Sequence, residues 1–214
     1  MKASIVTDAA AEILQDTAGV AWSPAQLVAW LNEAQRAVAV LRPDASSVTG
    51  NVDLTAGTKQ SLPAGGIRLL AVIRNTGADG STIGGAIRLV ERASLDDYTP
   101  DWHSADPGVA VEYIYDEKFP TVFWVNPPSA GGVKVEASYA VTPADCADVN
   151  AAIALDDIYQ PALLEWVLYR SYARFSDERS VGRASTHRST FFDLLGIKEQ
   201  ADFKTSPKRR EQLK

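Results

Sequence analysis

The sequence predicts an α+β fold in which N- and C-terminal segments form a helical bundle with a small antiparallel β domain inserted between them. Apolar residues recur at helical spacing near both ends of the chain, whereas short middle segments alternate between apolar and polar residues. The predicted helical domain comprises residues 1–45 and 145–214, and the predicted β-rich domain comprises residues 46–144. A chain of 214 residues is long enough for one sizeable core or two small ones.

The first predicted helix covers residues 4–16 and is short and amphipathic. Ile5, Ala9 and Ile13 share one face of this helix, because they are four residues apart. We therefore predict that these three side chains form its buried stripe and that Gly19 ends the helix.

The second predicted helix begins at Ser23 and runs to about Leu41. Ser23 suits the N-cap, Pro24 suits the first helical position, and Gln26 completes a capping box. Arg42 precedes a proline, which disfavours the helical conformation in the residue before it. The predicted core stripe consists of Leu27, Trp30, Leu31, Ala34, Val38 and Leu41.

The middle of the chain is predicted to be a small antiparallel sandwich or barrel. Glycines in residues 76–85 predict a flexible hairpin loop, and residues 94–107 read as a helical turn followed by irregular chain. The predicted strands cover residues 46–54, 60–63, 67–75, 86–92, 109–115, 121–125 and 133–141.

The C-terminal part predicts an Ala- and Asp-rich linker at 142–155 and then two helices. The first starts near Asp157 and is apolar most of the way round, which is typical of a central buried helix with Trp166 in its core. The second covers about 181–195, and Gly196 is expected to cap it. The remaining tail, residues 198–214, is polar and basic at its end.

Composition excludes several classes of function. The formal net charge of -6 argues against sequence-independent binding of nucleic acid, because such binding requires a basic face. The single cysteine, Cys146, excludes an internal disulfide and a cysteine cluster for zinc, and we expect an inert thiol. No apolar run approaches the ~20 residues of a membrane helix. Asp8 and Glu12 interrupt any signal-peptide pattern, so we expect a protein made and used in the cytosol of its producing cell, or in a particle assembled there.

The two histidines are the obvious candidates for chemistry. His103 lies between Asp101 and Asp106, and this set resembles an incomplete metal or acid–base site. A loop in which Trp102 anchors to the β core is the favoured interpretation. His187 and Asp193 lie on one short helix and could not converge there as a catalytic triad. We therefore predict no enzymatic activity, no catalytic residues, no metal ligands and no cofactor.

Other local motifs have ordinary structural interpretations. Gly77, Gly80, Gly84 and Gly85 are not followed by the Lys-Ser/Thr of a phosphate-binding loop. The Asp96-Asp97 and Asp156-Asp157 pairs lack calcium-loop spacing and are expected to cap helices.

Aromatic residues on the predicted strands suggest a second class of function. If they shared an exposed sheet face, the protein would be a carbohydrate-binding or adhesin-like module. Alternate residues of a strand face opposite ways, so at least half of these residues must be core. The set consists of Tyr113, Tyr115, Phe123 and Trp124.

The order of several short motifs resembles a family of tailed-phage adaptor proteins, with a plan similar to the tail tubular protein A of short-tailed phages. Each motif is weak alone, and their order along roughly residues 3–195 carries the resemblance. The motifs are Trp30-Leu31-Asn32-Glu33-Ala34-Gln35-Arg36, Leu41-Arg42-Pro43-Asp44-Ala45, Gln60-Ser61-Leu62-Pro63, Pro100-Asp101-Trp102, Asn126-Pro127-Pro128, Asp157-Ile158-Tyr159 and Leu168-Tyr169-Arg170-Ser171-Tyr172.

This resemblance implies a structural virion protein at the head–tail junction. It implies a ring of identical subunits, twelve by analogy with the portal, that joins the portal protein to the tail nozzle or tail tube. Double-stranded DNA would pass through the ring without sequence-specific binding, and no membrane partner is expected. The basic end of the chain lies outside the matched part, and we expect it to dock on the portal through Lys208, Arg209, Arg210 and Lys214.

Overall fold

The computed structural model describes the backbone of residues 1–205 and the side chains of residues 1–196. Its contacts divide the chain into two compact units. The helical unit comprises Met1–Arg42 and the chain from Pro143 onward, and the β unit comprises Pro43–Thr142. The architecture is α+β, as the sequence predicts. Whether each unit is an independently folding domain stays a prediction.

The described part of the helical unit contains four α-helices, and the helix at Gln160–Tyr172, α4, packs against the other three. Ala162, Leu163, Val167 and Leu168 of α4 are buried, and this helix contacts all three others, which confirms the central position predicted for the helix after residue 157. The helices are α1 (Ala3–Ile13), α2 (Pro24–Leu41), α4 (Gln160–Tyr172) and α5 (Glu178–Thr205), while α3 lies in the β unit.

The orientation predicted for α1 was wrong. Its buried residues are Ala3, Val6, Thr7 and Ala10, whereas Ile5 is 46% exposed and Ile13 is 49% exposed. The helix also ends at Ile13, well before Gly19, and Asp16 then accepts hydrogen bonds from the backbone N–H groups of residues 20, 21 and 22. Small residues form the inner face because α1 packs closely on α2 and α4.

The start of α2 agrees with the predicted N-cap and first-turn proline, but the Gln26 side chain accepts from Arg174 Nη1 at 3.5 Å instead of completing a capping box. Ser23 is the N-cap, and its hydroxyl oxygen accepts a hydrogen bond from the Gln26 backbone N–H at 3.3 Å. The central part of the predicted stripe is buried, but Leu41 is 45% exposed and Trp30 is half-buried. The buried face includes two polar residues, Asn32 and Gln35, which the apolar periodicity did not predict.

Asn32 and Gln35 are buried because they bind the segment predicted as a linker. Asn32 Nδ2 donates to the Cys146 carbonyl at 2.9 Å, and Asn32 Oδ1 accepts from the Cys146 N–H at 2.8 Å. Gln35 Oε1 accepts from the Ala154 N–H at 2.9 Å. Ile153 and Leu155 are buried too, so this segment is a packed part of the helical unit.

The β unit contains two sheets rather than a uniformly antiparallel sandwich. The first sheet has the order β1-β7-β3 and is antiparallel, and the second has the order β2-β6-β5-β4, in which β4 runs parallel to β5. The strands are β1 (Ser47–Leu54), β2 (Gly57–Ser61), β3 (Gly66–Gly77), β4 (Arg88–Leu89), β5 (Glu112–Tyr115), β6 (Val122–Ser129) and β7 (Val133–Val141), and helix α3 spans Arg92–Tyr98.

One core of the β unit lies between residues of both sheets. Phe123 and Val125 of β6 and Val135 and Ala137 of β7 are fully buried in it. A second, smaller cluster contains Leu95, Trp102 and Ile114. Strand β6 alternates between the two clusters, because successive side chains of a strand point to opposite faces.

Candidate partner-binding surfaces

An open apolar groove lies among α2, α4 and α5. Its lining includes Val40 and Leu41 of α2, Trp166 of α4 and Phe192 of α5. Val40 is 73% exposed and Phe192 is 41% exposed, so apolar side chains that lie together here face the solvent. We call these four residues, together with Ala37, the apolar groove.

Charged residues border the apolar groove. Glu33 and Arg36 belong to its lining, and Glu33 Oε2 lies 3.1 Å from Arg170 Nε. Arg36 pairs with Asp145. The guanidinium of Arg188 lies 5.7 Å from the centre of the Phe192 ring, one helical turn earlier on α5. The groove therefore has an apolar floor and a rim that includes arginines.

Trp166 occupies a different environment from the fully buried one that its helix predicted. Its ring packs on Phe191, with ring centres 4.7 Å apart, and on Tyr169 at 5.4 Å. Phe191 is fully buried, whereas Trp166 is only half-buried and lines the apolar groove. The sequence could not distinguish these two positions, because both rings lie on apolar helix faces.

His103 belongs to the packing of the β unit. Its ring stacks on Trp102 with centres 3.6 Å apart, and its Nδ1 lies 2.9 Å from Thr58 Oγ1. Trp102 is buried, and its Nε1 donates to Asp96 Oδ1 at 2.9 Å. This hydrogen bond is the main reason that the pKa of Asp96 is lowered. Trp102 is therefore the anchor that its sequence position indicated.

His187 joins two helices instead of forming a triad on one. Its Nδ1 lies 2.7 Å from Glu165 Oε2 of α4, and its ring stacks on Tyr172 with centres 5.5 Å apart. Arg183 also contacts Tyr172, since its guanidinium lies 5.4 Å from the centre of that ring. Asp193 instead lies near Ser189. These contacts of His187 and Arg183 stabilise the packing of α5 on α4.

Within the described residues, no group of three or more His, Cys, Asp or Glu side chains is arranged to hold a metal ion. Burial raises the pKa of the Cys146 thiol, which keeps it in the less reactive protonated form. No helix in the described part of the chain is long and apolar enough to cross a membrane.

The acidic pairs and the glycine-rich loop have structural roles. Asp156 accepts a hydrogen bond from the Ile158 N–H and caps a 3₁₀ turn, as predicted. Asp96 does not cap a helix, because it lies inside α3 and bonds Trp102. In the loop after β3, Asp79 accepts hydrogen bonds from Ser81 and Thr82, which lower the pKa of its carboxyl group. These bonds order the loop around a tight turn.

The strand aromatics do not form one exposed row. Tyr113 and Phe123 are buried in the main β core. Trp124 packs on the opposite face against the cluster that contains Trp102. Tyr115 is half-buried, and its hydroxyl donates to the Pro120 carbonyl at 3.3 Å.

The structure describes only part of the predicted basic tail, residues 198–214, because the described backbone ends at residue 205. Helix α5 continues through Gly196 to Thr205, so the prediction that Gly196 caps it was wrong. Glycine inside a helix costs only about 1 kcal/mol relative to alanine, so a single glycine does not have to end a long helix. The predicted docking residues Lys208, Arg209, Arg210 and Lys214 lie outside the described residues.

Comparison with known proteins supplies the remaining evidence. Residues 1–211 match the family model described as SU10 adaptor protein. No curated protein sequence matches the chain. The family match spans both compact units and agrees with the tailed-phage adaptor plan indicated by the sequence motifs. The chain therefore belongs to the SU10 adaptor protein family, whose members are structural adaptor proteins of phage virions.

Proposed function

We propose that this protein forms a ring at the head–tail junction of a phage, between the portal protein and the tail nozzle or tail tube. The observation that carries the proposal is the adaptor-family match over residues 1–211. An open apolar groove on the helical unit is consistent with it, because exposed apolar side chains that lie together can dock a partner. Twelve copies are expected by analogy with the portal.

The role proposed for the ring interior is passage of double-stranded DNA without sequence-specific binding. A formal net charge of -6 supports this, since retention of DNA requires cations that neutralise phosphates. The histidines, the candidates for chemistry, are engaged in packing contacts within the described structure. We therefore propose a structural role without catalysis.

A mass measurement tests the ring. The full chain is mixed with purified portal rings from the same phage, and the complexes are weighed by native mass spectrometry. We expect an increment of about twelve subunits of 23.0 kDa on each portal ring. Portal rings that gain no adaptor mass, or a scattered number of copies, would contradict the proposal.

The basic residues after α5 are proposed to dock on the portal. Lys208, Arg209 and Arg210 can pair with carboxylates of a partner, and arginine can do so with two parallel hydrogen bonds. Deleting the chain from Ser206 removes these residues and spares α5. We expect the truncated protein to keep the parent's melting temperature and to lose portal binding.

A matched control separates charge from chain length. The variant with Lys208, Arg209, Arg210 and Lys214 all changed to Gln keeps the full length without the positive charges. It should bind the portal as poorly as the truncated protein does. Normal portal binding by both variants would mean that the basic end does not dock there.

A further inference from the structure

One face of α1 carries an apolar stripe that the other described residues leave partly exposed. Ile5, Ala9 and Ile13 lie one helical turn apart, so the stripe is about 12 Å long. Ile5 and Ile13 are 46% and 49% exposed, and Ala9 is half-buried. An exposed apolar stripe on a helix suits docking into a groove on a partner.

Acidic residues flank this stripe. Asp8 and Glu12 are exposed and lie one turn apart along α1, beside the apolar residues. Among residues 1–196, neither carboxylate forms an ion pair within the chain. The face of α1 is therefore apolar along its centre and negatively charged along one edge.

The apolar groove is complementary to this face of α1, because it combines apolar side chains with a positive charge at one edge. Its floor is apolar, with Val40, Leu41 and Phe192 exposed, and the guanidinium of Arg188 lies 5.7 Å from the centre of the Phe192 ring at the α5 edge. Within the described side chains, Arg188 forms no ion pair with a carboxylate. The groove lining contains no residue of α1, so the stripe and the groove are two separate surfaces of the helical unit.

We propose that the α1 stripe of one copy docks in the apolar groove of the next copy, with Asp8 and Glu12 facing Arg188. This inference rests on the proposed ring, because it names the two surfaces that join its subunits. A contact between two different surfaces repeats from copy to copy and builds a ring or a filament, whereas a self-complementary contact would stop at a dimer. Ala9, at the centre of the stripe, permits close approach of the two helices.

Cysteine cross-linking tests which surfaces meet. The variants A9C and V40C are prepared with different tags, mixed in the presence of portal rings and treated with a short bismaleimide. We expect cross-linked pairs that carry both tags, and far fewer pairs from either variant alone. Wild-type protein reports any reaction of the buried Cys146. The control mixture is A9C with V181C, which places cysteine at another exposed valine of the helical unit, 52% exposed.

Charge reversal supplies a second measurement. We expect E12R and R188E each to weaken self-association about two- to fivefold, the size of an exposed ion pair. The double variant E12R/R188E should recover most of this loss, because the two charges then exchange places across the contact. Equal melting temperatures of the variants and the parent confirm that folding is unchanged.

The outcomes separate this inference from the proposed function. If rings form on the portal without the A9C–V40C cross-link, the proposed contact is wrong and the ring stands. The same holds if A9C cross-links to V181C as efficiently as to V40C. If the mixed cross-link forms without portal binding, the contact stands and the portal role fails. If no self-association occurs with or without portal, both are overturned. Cross-links from V40C to the portal protein would show that the groove instead binds portal.

Discussion

At the scale of single residues, the most consequential contact is the pair of hydrogen bonds between Asn32 and Cys146. The Asn32 amide satisfies both the N–H and the carbonyl of a buried peptide segment, 114 residues away in sequence. A buried backbone group without a partner costs about 1–3 kcal/mol. Asn32 therefore holds the segment 143–155 against α2 and makes its burial possible.

We predict that Asn32→Ala lowers the free energy of unfolding by about 2–4 kcal/mol, because two buried backbone groups lose their partner. Cys146→Ala is the matched control, since it keeps the same backbone groups and should cost only about 1 kcal/mol. Urea denaturation of both variants and the parent checks the difference. Equal losses would mean that side-chain packing, and not hydrogen bonding, holds the segment.

Asp16 stabilises the turn after α1 in its ionised form. Hydrogen bonds from backbone N–H groups, that of Trp22 foremost, lower its pKa below the usual 3.8. A carboxyl group with a lowered pKa in the folded state stabilises the protein above its unfolded pKa, and this contribution disappears as pH falls through the lowered value. The contribution of Asp16 is therefore present at neutral pH and lost in acid.

We predict that Asp16→Asn destabilises the protein at pH 6 and that the difference from the parent shrinks as the pH falls below 3.8. Urea unfolding at pH 6, 4 and 3 provides the measurement. A difference that stays constant over this range would show that the charge of Asp16 is not what stabilises the turn.

At the scale of elements, the packing of α5 on α4 combines a dry aromatic contact with a polar one. Phe191 is fully buried against Trp166, whose other surface faces the apolar groove. His187 and Glu165 add a contact of 2.7 Å farther along the same pair of helices. The two rings of this aromatic pair therefore differ in environment: Phe191 fills the core, and Trp166 lines the apolar groove.

We predict that Phe191→Ala lowers the free energy of unfolding by about 3–5 kcal/mol, the usual cost of removing a buried aromatic ring. Trp166→Ala should cost less, about 1–3 kcal/mol, because this ring is only partly buried and lines the groove. Thermal melting and urea unfolding of the two variants give the comparison. Similar losses would contradict an open groove beside Trp166.

At the scale of the whole molecule, both histidines are built into packing contacts of their own compact unit. His103 stacks on Trp102 in the β unit, and His187 stacks on Tyr172 in the helical unit. The structural role that we propose does not require the proton-transfer ability of either ring. What each position requires is a flat side chain that can form a hydrogen bond.

We predict that phage carrying His103→Gln or His187→Gln assemble particles and keep infectivity in proportion to the amount of folded adaptor. Each variant is measured for melting temperature, for incorporation into particles and for plaque formation. A variant that folds and enters particles normally, yet yields particles that cannot infect, would reveal a chemical role for that histidine.

The sequence by itself determined the elements that depend on local physics. Ser23 and Pro24 defined the start of α2, because capping involves only neighbouring backbone groups. Alternation of apolar residues defined β7 at Val133–Val141, since each strand residue faces one side or the other. The order of short motifs indicated the adaptor family, which the match over residues 1–211 confirms.

Only the tertiary structure decided which apolar surfaces are buried. Ile5, Ala9 and Ile13 lie at helical spacing and form an apolar stripe. Smaller residues on the opposite face of α1 allow closer packing on the other helices, so the two isoleucines stay exposed. Asn32 is buried although it is polar, because a segment far along the chain supplies its hydrogen-bond partners. Periodicity identifies an apolar face, but burial depends on the surface that meets it. That surface comes from residues distant in sequence, or, as we propose for α1, from another copy of the chain.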